Sequence, residues 1–448
     1  MKKFLLGLLI TLTGILAVAS LFGVSPAYIV SAPSVATGMG AKLLCSARYV
    51  SQFSQQQALT DLVQYSPALK FLTVEYDEQN RRVHTSFFGL SSASAYYVEG
   101  IGCANTYPGD QRLQFTAKAL THSVEQWPAG NSVAEGNSEL HQLIASQLAN
   151  DNHMGLNTRA LLVVHHGQII AEAYGQGAGP DTPLLGWSMA KSLMSLMIGN
   201  LEYRGLLDLT LTPLFTQWRD DDRGSITLRN LLQMSDGLEF SEQYNPGDDA
   251  TAMLFTQASA SDYVLAKPLA HPPGTHFNYS SGSANLLSRL YFETTGATLQ
   301  SSYNDYIEHI ATPLALNTAV FETDASGVFV GSSYFYASAR DWARIGLLML
   351  NEGVINGQRL VSEQWVQQST LPNESSNDKA YGYQWWLNRG NEQLRWPDLP
   401  EDSFAAQGNR QQNMMIIPSQ DLVIVRLGWT SGAYPLNERF AQIIAALQ

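Results

Sequence analysis

Two hairpin signals, one near each end of a long stretch of chain, limit the possible folds most. Leu161-Leu162-Val163-Val164-His165-His166-Gly167-Gln168-Ile169-Ile170-Ala171-Glu172 places apolar runs on either side of a His-Gly-Gln turn. Met414 to Arg426 repeats the pattern around Pro418-Ser419-Gln420-Asp421. Apolar runs interrupted by such bends read as antiparallel strand pairs. Between them the periodicity is mostly helical, as in residues 285–295 and 339–351, and Pro435 to Leu447 reads as a terminal helix with Phe440, Ile443, Ile444 and Leu447 on one face. Strand pairs this far apart share a core only if distant segments join one sheet. The expected class is therefore α+β: an antiparallel sheet flanked by terminal helices, with a mainly helical subdomain inserted.

The 448 residues exceed what one core usually organises, so the chain is divided into regions. Lys2 and Lys3 precede Phe4 to Val24, a run of 21 residues without charge that as a helix would rise about 31 Å, the thickness of a hydrocarbon core. No Ala-x-Ala follows it, which favours an uncleaved anchor over a cleaved signal peptide. Basic residues stay on the cytoplasmic side, so the remainder is expected outside the cytoplasm, or secreted if the segment is cut. Residues 25–40 are rich in Ser, Pro, Ala and Gly and read as a tether, giving 1–38 as anchor and tether. Residues 39–118 read as a small α+β module with strands near 71–76 and 83–88, 119–138 as a linker, and 139–448 as the large domain. The only two cysteines, Cys45 and Cys103, fall in the module. An oxidising compartment allows them one bridge, the alternative being two unrelated buried thiols.

Charge excludes one class of partner and spacing another. With 26 Lys+Arg against 39 Asp+Glu the formal charge is −13, which repels nucleic acid. No His-Glu-x-x-His, Cys-x-x-Cys or cluster at metal-ligand spacing occurs, so neither a metal nor another cofactor is expected.

The chemistry concentrates in Gly186-Trp187-Ser188-Met189-Ala190-Lys191-Ser192, followed by the apolar run Leu193 to Ile198. The run reads as a helix buried on every side, with Ser188 near its N-terminus. A three-residue offset places Ser188 and Lys191 on one helical face, about 5–6 Å apart at Cβ. Burial disfavours the charged form of a lysine, which is what a general base beside a hydroxyl nucleophile requires. Ser-x-x-Lys alone is common by chance, and a capped helix with a snorkelling lysine would produce it too.

Other segments add specificity. Ser188-Met189-Ala190-Lys191-Ser192 resembles the nucleophile helix of serine β-lactamases, penicillin-binding proteins and their esterase relatives. Pro273-Gly274-Thr275-His276-Phe277-Asn278-Tyr279-Ser280-Ser281-Gly282 resembles the Tyr-x-Asn loop of the class C branch. Residues 226–238, 338–346 and 381–386 resemble further segments of that family, in the same order. The subgroup most similar is that of 6-aminohexanoate-dimer hydrolase-like proteins, some outward-facing members of which carry a module similar to the one holding Cys45 and Cys103. The resemblance implies a β-lactamase-like fold over 139–448, with Ser188 as acylated nucleophile, Lys191 as its proton partner and Tyr279 as a second base. It also implies an oxyanion hole from the backbone N–H groups of Ser188 and Asn409.

Two positions depart from the family pattern. Ser281 stands where the class C loop has Asn, and Ala406-Gln407-Gly408 stands where penicillin-recognising members have Lys-Thr-Gly or His-x-Gly. Ser281, Gln407, Gly408 and Asn409 are expected to form the oxyanion and substrate-binding edge. The missing cation favours a small neutral ester or amide over β-lactams or peptides ending in D-amino acids. Arg410 is expected to point into solvent from an edge strand. Of Trp385 and Trp386, alternating faces allow one to wall the site while the other packs in the core. A catalytically silent binding or sensor domain at a membrane is the alternative from another class, and retention of Ser188, Lys191 and Tyr279 together argues against it.

Overall fold

The computed structural model describes residues 25–109, 112–118, 120, 125–134, 136–175 and 177–447. The apolar run at 4–24, read as an anchor, lies outside the described residues; among those that are described, no helix is long and apolar enough to cross a membrane.

Residues read as a tether instead form the first helix, α1 (Pro26–Tyr49). Ser25 caps it and Pro26 occupies its first turn, where a missing N–H costs nothing. Its small residues are there for close packing. A Cβ on Gly38 would collide with the carbonyl of Phe255, and one on Gly40 would press on Leu72 and Thr85. Tertiary contact thus outweighs the poor helix propensity that suggested a tether. Helix α2 (Gln55–Val63) follows, then an antiparallel meander of β1 (Thr73–Asp77), β2 (Arg82–Phe87), β3 (Ser91–Val98) and β4 (Gly102–Asn105). Cys45 of α1 is disulfide-bonded to Cys103 of β4, with Cα atoms 6.1 Å apart. The described part of the expected linker is pinned down: Trp127 is 3% exposed, donates to the carbonyl of Gly167, and lies under the Arg344 guanidinium at 4.5 Å.

The large region begins with α3 (Ser138–His153), β5 (Thr158–His165) and β6 (Gln168–Tyr174). Helices α4 (Met189–Tyr203), α5 (Asp249–Thr256), α6 (Ser281–Thr294) and α7 (Ala339–Leu350) occupy the middle. The chain ends in β7 (Trp386–Leu387), β8 (Phe404–Gly408), β9 (Gln412–Ile417), β10 (Leu422–Gly428) and α8 (Leu436–Ala445). Both expected hairpins form, as β5–β6 and β9–β10, and β10 pairs with β5 to join them into one antiparallel sheet ordered β7-β8-β9-β10-β5-β6.

Strand alternation sorts the side chains to two cores. Leu161, Val163, Met415, Ile417 and Ile424 meet α3 and α8 on one face. Leu162, Val164, Met414, Ile416, Val423 and Val425 face the helical region and the N-terminal module on the other. The sheet is buried on both sides, and β8, beyond its short pairing with β7, is where the nucleophile helix arrives.

Candidate functional site

Ser188 immediately precedes α4, in a turn set by two close approaches. Trp187 holds a left-handed backbone (φ 49°), unusual for a bulky residue, and turns the chain so that Ser188 is half-buried rather than enclosed. The β8 backbone presses on the same turn, since a Cβ on Gly408 would collide with the carbonyl oxygen of Gly186. The strand edge carrying Gln407, Gly408 and Asn409 is thereby held beside the nucleophile candidate.

Lys191 lies one turn into α4 and is 1% exposed. Its Nζ is 3.0 Å from Ser188 Oγ, 3.0 Å from Ser281 Oγ and 2.9 Å from the carbonyl oxygen of Ser332. None of these partners carries a charge. Burial lowers the Lys191 ammonium from 10.5 to about 8, with the Glu242 carboxylate opposing the shift. Tyr279 closes the group: the Lys191 ammonium lies 5.0 Å from its ring centroid, and the Ser188 side chain acts on its hydroxyl, favouring the ionised form. Burial and Glu242 together push that hydroxyl well above the ordinary 10. The ring is fixed by stacking on Trp386 (5.1 Å, 24°) and by an edge contact with Tyr381 (5.7 Å, 89°). Of the two tryptophans, Trp386 walls the site while Trp385, 0% exposed, packs against Phe404.

The expected edge residues divide. Ser281 is fully buried between Lys191 and Glu242. Its hydroxyl donates to Glu242 Oε1 at 2.6 Å and accepts from Lys191, while its N–H donates to Glu242 Oε2 at 2.7 Å. Ser281 therefore links a lysine to a carboxylate. Gln407 accepts from Arg395 Nη2 at 3.2 Å, and Arg395 stacks over Trp386 at 4.1 Å. A cation thus stands beside the position that lacks one in sequence, supplied by a different segment. Arg410, expected in solvent, is 8% exposed and lies 3.9 Å over the ring of Tyr65, because its left-handed backbone (φ 61°) turns it back from the strand edge.

Glu242 and Arg395 are the site residues that sequence reasoning missed. Nothing in the local pattern separates Glu242 from Glu239, three residues earlier, and Arg395 lies in a polar loop without periodicity. The remaining motif segments act as supports. Ser192 Oγ donates to the carbonyl of Gln384 at 2.7 Å, and the Gln384 amide donates to the carbonyls of Leu231 and Leu232 at 3.0 and 2.9 Å, bracing α4 from behind. Among the described residues no group of His, Cys, Asp and Glu could hold a metal ion.

Known proteins resemble this chain over much of its length. The chain is 29% identical over 301 residues to the 6-aminohexanoate-dimer hydrolase of Paenarthrobacter ureafaciens, covering 60% of this chain and 72% of that one. A Bacillus anthracis protein assigned as a putative 6-aminohexanoate-dimer hydrolase superposes with a TM-score of 0.56 at 23% identity, over 67% of this chain and 80% of that one. A family VIII carboxylesterase superposes with a TM-score of 0.54 at 14% identity, over 71% and 100%. These two structures show a common fold. The Beta-lactamase family model matches residues 142–447, more than half of the chain, which makes this protein a member of the β-lactamase family of serine hydrolases.

Proposed function

We propose that the protein hydrolyses a small ester or linear amide through an acyl-enzyme on Ser188. The observation that carries this reading is the buried Lys191 amine in contact with Ser188 Oγ and with no carboxylate in direct contact. With its value near 8, Lys191 is the group of the trio that loses a proton most readily, and Tyr279, held high, serves as a neutral hydroxyl. As Ser188 Oγ bonds to the substrate carbonyl carbon, its proton passes to Lys191. The backbone N–H groups of Ser188 and Asn409 receive the developing oxyanion. Tyr279 then protonates the departing oxygen or nitrogen as the carbonyl–leaving-group bond breaks, and is reprotonated from Lys191. Water repeats the sequence to release the acid and restore Ser188.

Ala406 at the position of the Lys in Lys-Thr-Gly, with Arg395 engaged by Trp386 and Gln407, supports esters and linear amides over β-lactams and peptides ending in D-alanine. The apolar run at 4–24 behind two lysines, together with the disulfide, supports attachment to a membrane with the hydrolase region outside the cytoplasm. A fluorophosphonate probe is expected to add once to the folded protein, at Ser188, as read by intact mass and peptide mapping. Labelling that persists in Ser188→Ala, or a folded wild type left unlabelled, would overturn the mechanism.

A further inference from the structure

A cavity of about 300 Å³ lies between the N-terminal module and the hydrolase region. Val35, Met39 and Leu69 line it from the module; Trp187, Phe255 and Asn409 line it from the other side. Two of these residues adjoin the site along the chain. Trp187 is the residue before the nucleophile candidate, and Asn409 carries the N–H expected as the second oxyanion donor. The space is well above what a single water needs, and its walls are mostly apolar with a few polar atoms, the character of a small-molecule pocket.

The module forms a fixed wall. Arg159 of β5 grips Asp61 of α2 at 2.6 Å, and the Trp429 indole N–H donates to the Asp61 carbonyl at 2.9 Å. Lys42 of α1 forms a buried ion pair with Glu322, which also accepts from Ser46 Oγ at 2.8 Å and from the Cys103 N–H at 2.7 Å. Tyr65 stacks on Arg410, the residue after Asn409, so the module also braces the segment bearing that N–H.

We infer that this cavity is the acyl pocket, that the N-terminal module supplies half of it, and that it takes an unbranched apolar acyl chain of medium length. The inference rests on the acyl-enzyme reading above. The acyl part stays bonded to Ser188 through both half-reactions, whereas the leaving group must depart after the first. A recess walled by a second module beside the oxyanion donors suits the part that stays.

The test uses p-nitrophenyl esters from acetate to decanoate on the full chain, with acetate esters of alcohols of increasing length as the counter-series. Wild type is expected to prefer hexanoate or octanoate to acetate. Ala36→Phe, which projects into the cavity from α1, lowers the octanoate-to-acetate ratio of kcat/KM by roughly tenfold or more. Met39→Ala moves the optimum to longer chains. A wild type indifferent to acyl length, or variants that change the alcohol series instead, would overturn the proposal. Calorimetric binding of octanamide to Ser188→Ala reads the pocket without turnover. Binding that Ala36→Phe weakens supports the pocket even if the mechanism fails, and binding no tighter than that of acetamide refutes the pocket even if the mechanism holds.

Discussion

Two lysines are buried among the described residues, and they differ in what they touch. Lys42, 2% exposed, meets the carboxylate of Glu322 directly, with Ser46 Oγ at 3.2 Å and the Tyr334 ring centroid at 4.0 Å. Lys191, 1% exposed, meets two hydroxyls and a carbonyl, and reaches Glu242 only through Ser281. A direct carboxylate opposes the loss of the ammonium proton and turns the lysine into a fastening. A hydroxyl can accept from an ammonium or donate to an amine, so a lysine among hydroxyls keeps both forms available. The same side chain, equally buried, holds the module in one place and moves a proton in the other.

Replacing each lysine by the nearly isosteric methionine separates the two roles. Lys191→Met is expected to lower turnover by about 10³-fold or more, with the thermal midpoint unchanged or raised, since a desolvated amine is removed with no carboxylate left stranded. Lys42→Met leaves the Glu322 carboxylate buried without its partner and should cost about 3–5 kcal/mol in chemical denaturation, while the protein that remains folded retains its turnover number. Adding Glu322→Gln should return much of that loss. If Lys42→Met abolished turnover in folded protein, or Lys191→Met unfolded it, the distinction would collapse.

Smaller changes sharpen the comparison. Gly408→Ala forces the strand edge away from Gly186 and is expected to reduce kcat about 10²-fold with little change in secondary structure by circular dichroism. Because Lys191 must be neutral to accept a proton, kcat/KM in wild type should rise with pH and level off above about 8. Glu242 favours the protonated form, so Glu242→Gln should lower the value and move the rising limb to lower pH, by roughly one unit or less. A limb that moved upward would mean that Glu242 acts on another group.

The parts of the site that lie close together in sequence were legible there. Ser188 and Lys191 share a helical face by spacing alone, and both hairpins announce themselves by apolar runs around a bend. Glu242 and Arg395 were not, because loops deliver them and a loop has no period to read. Helix α1 was hidden for the opposite reason. Its Gly, Ala, Ser and Pro content signals flexibility in isolation, yet those small side chains are what let the backbone lie against Phe255, Leu72 and Thr85. Ser281 was legible as a site residue but its partner was not, since which way a hydroxyl points depends on a carboxylate 39 residues earlier.

The pairing of β10 with β5 also bears on when the protein becomes active. Ser188 and Lys191 enter the chain early, but β8 reaches the nucleophile turn only as part of a sheet whose centre joins residues 158–165 to residues 422–428. Closing a loop that long is a slow, late event in folding. A growing chain therefore carries its nucleophile and base for more than two hundred residues without the strand that would complete the site, and reactivity is withheld until residues 422–428 have been made and paired.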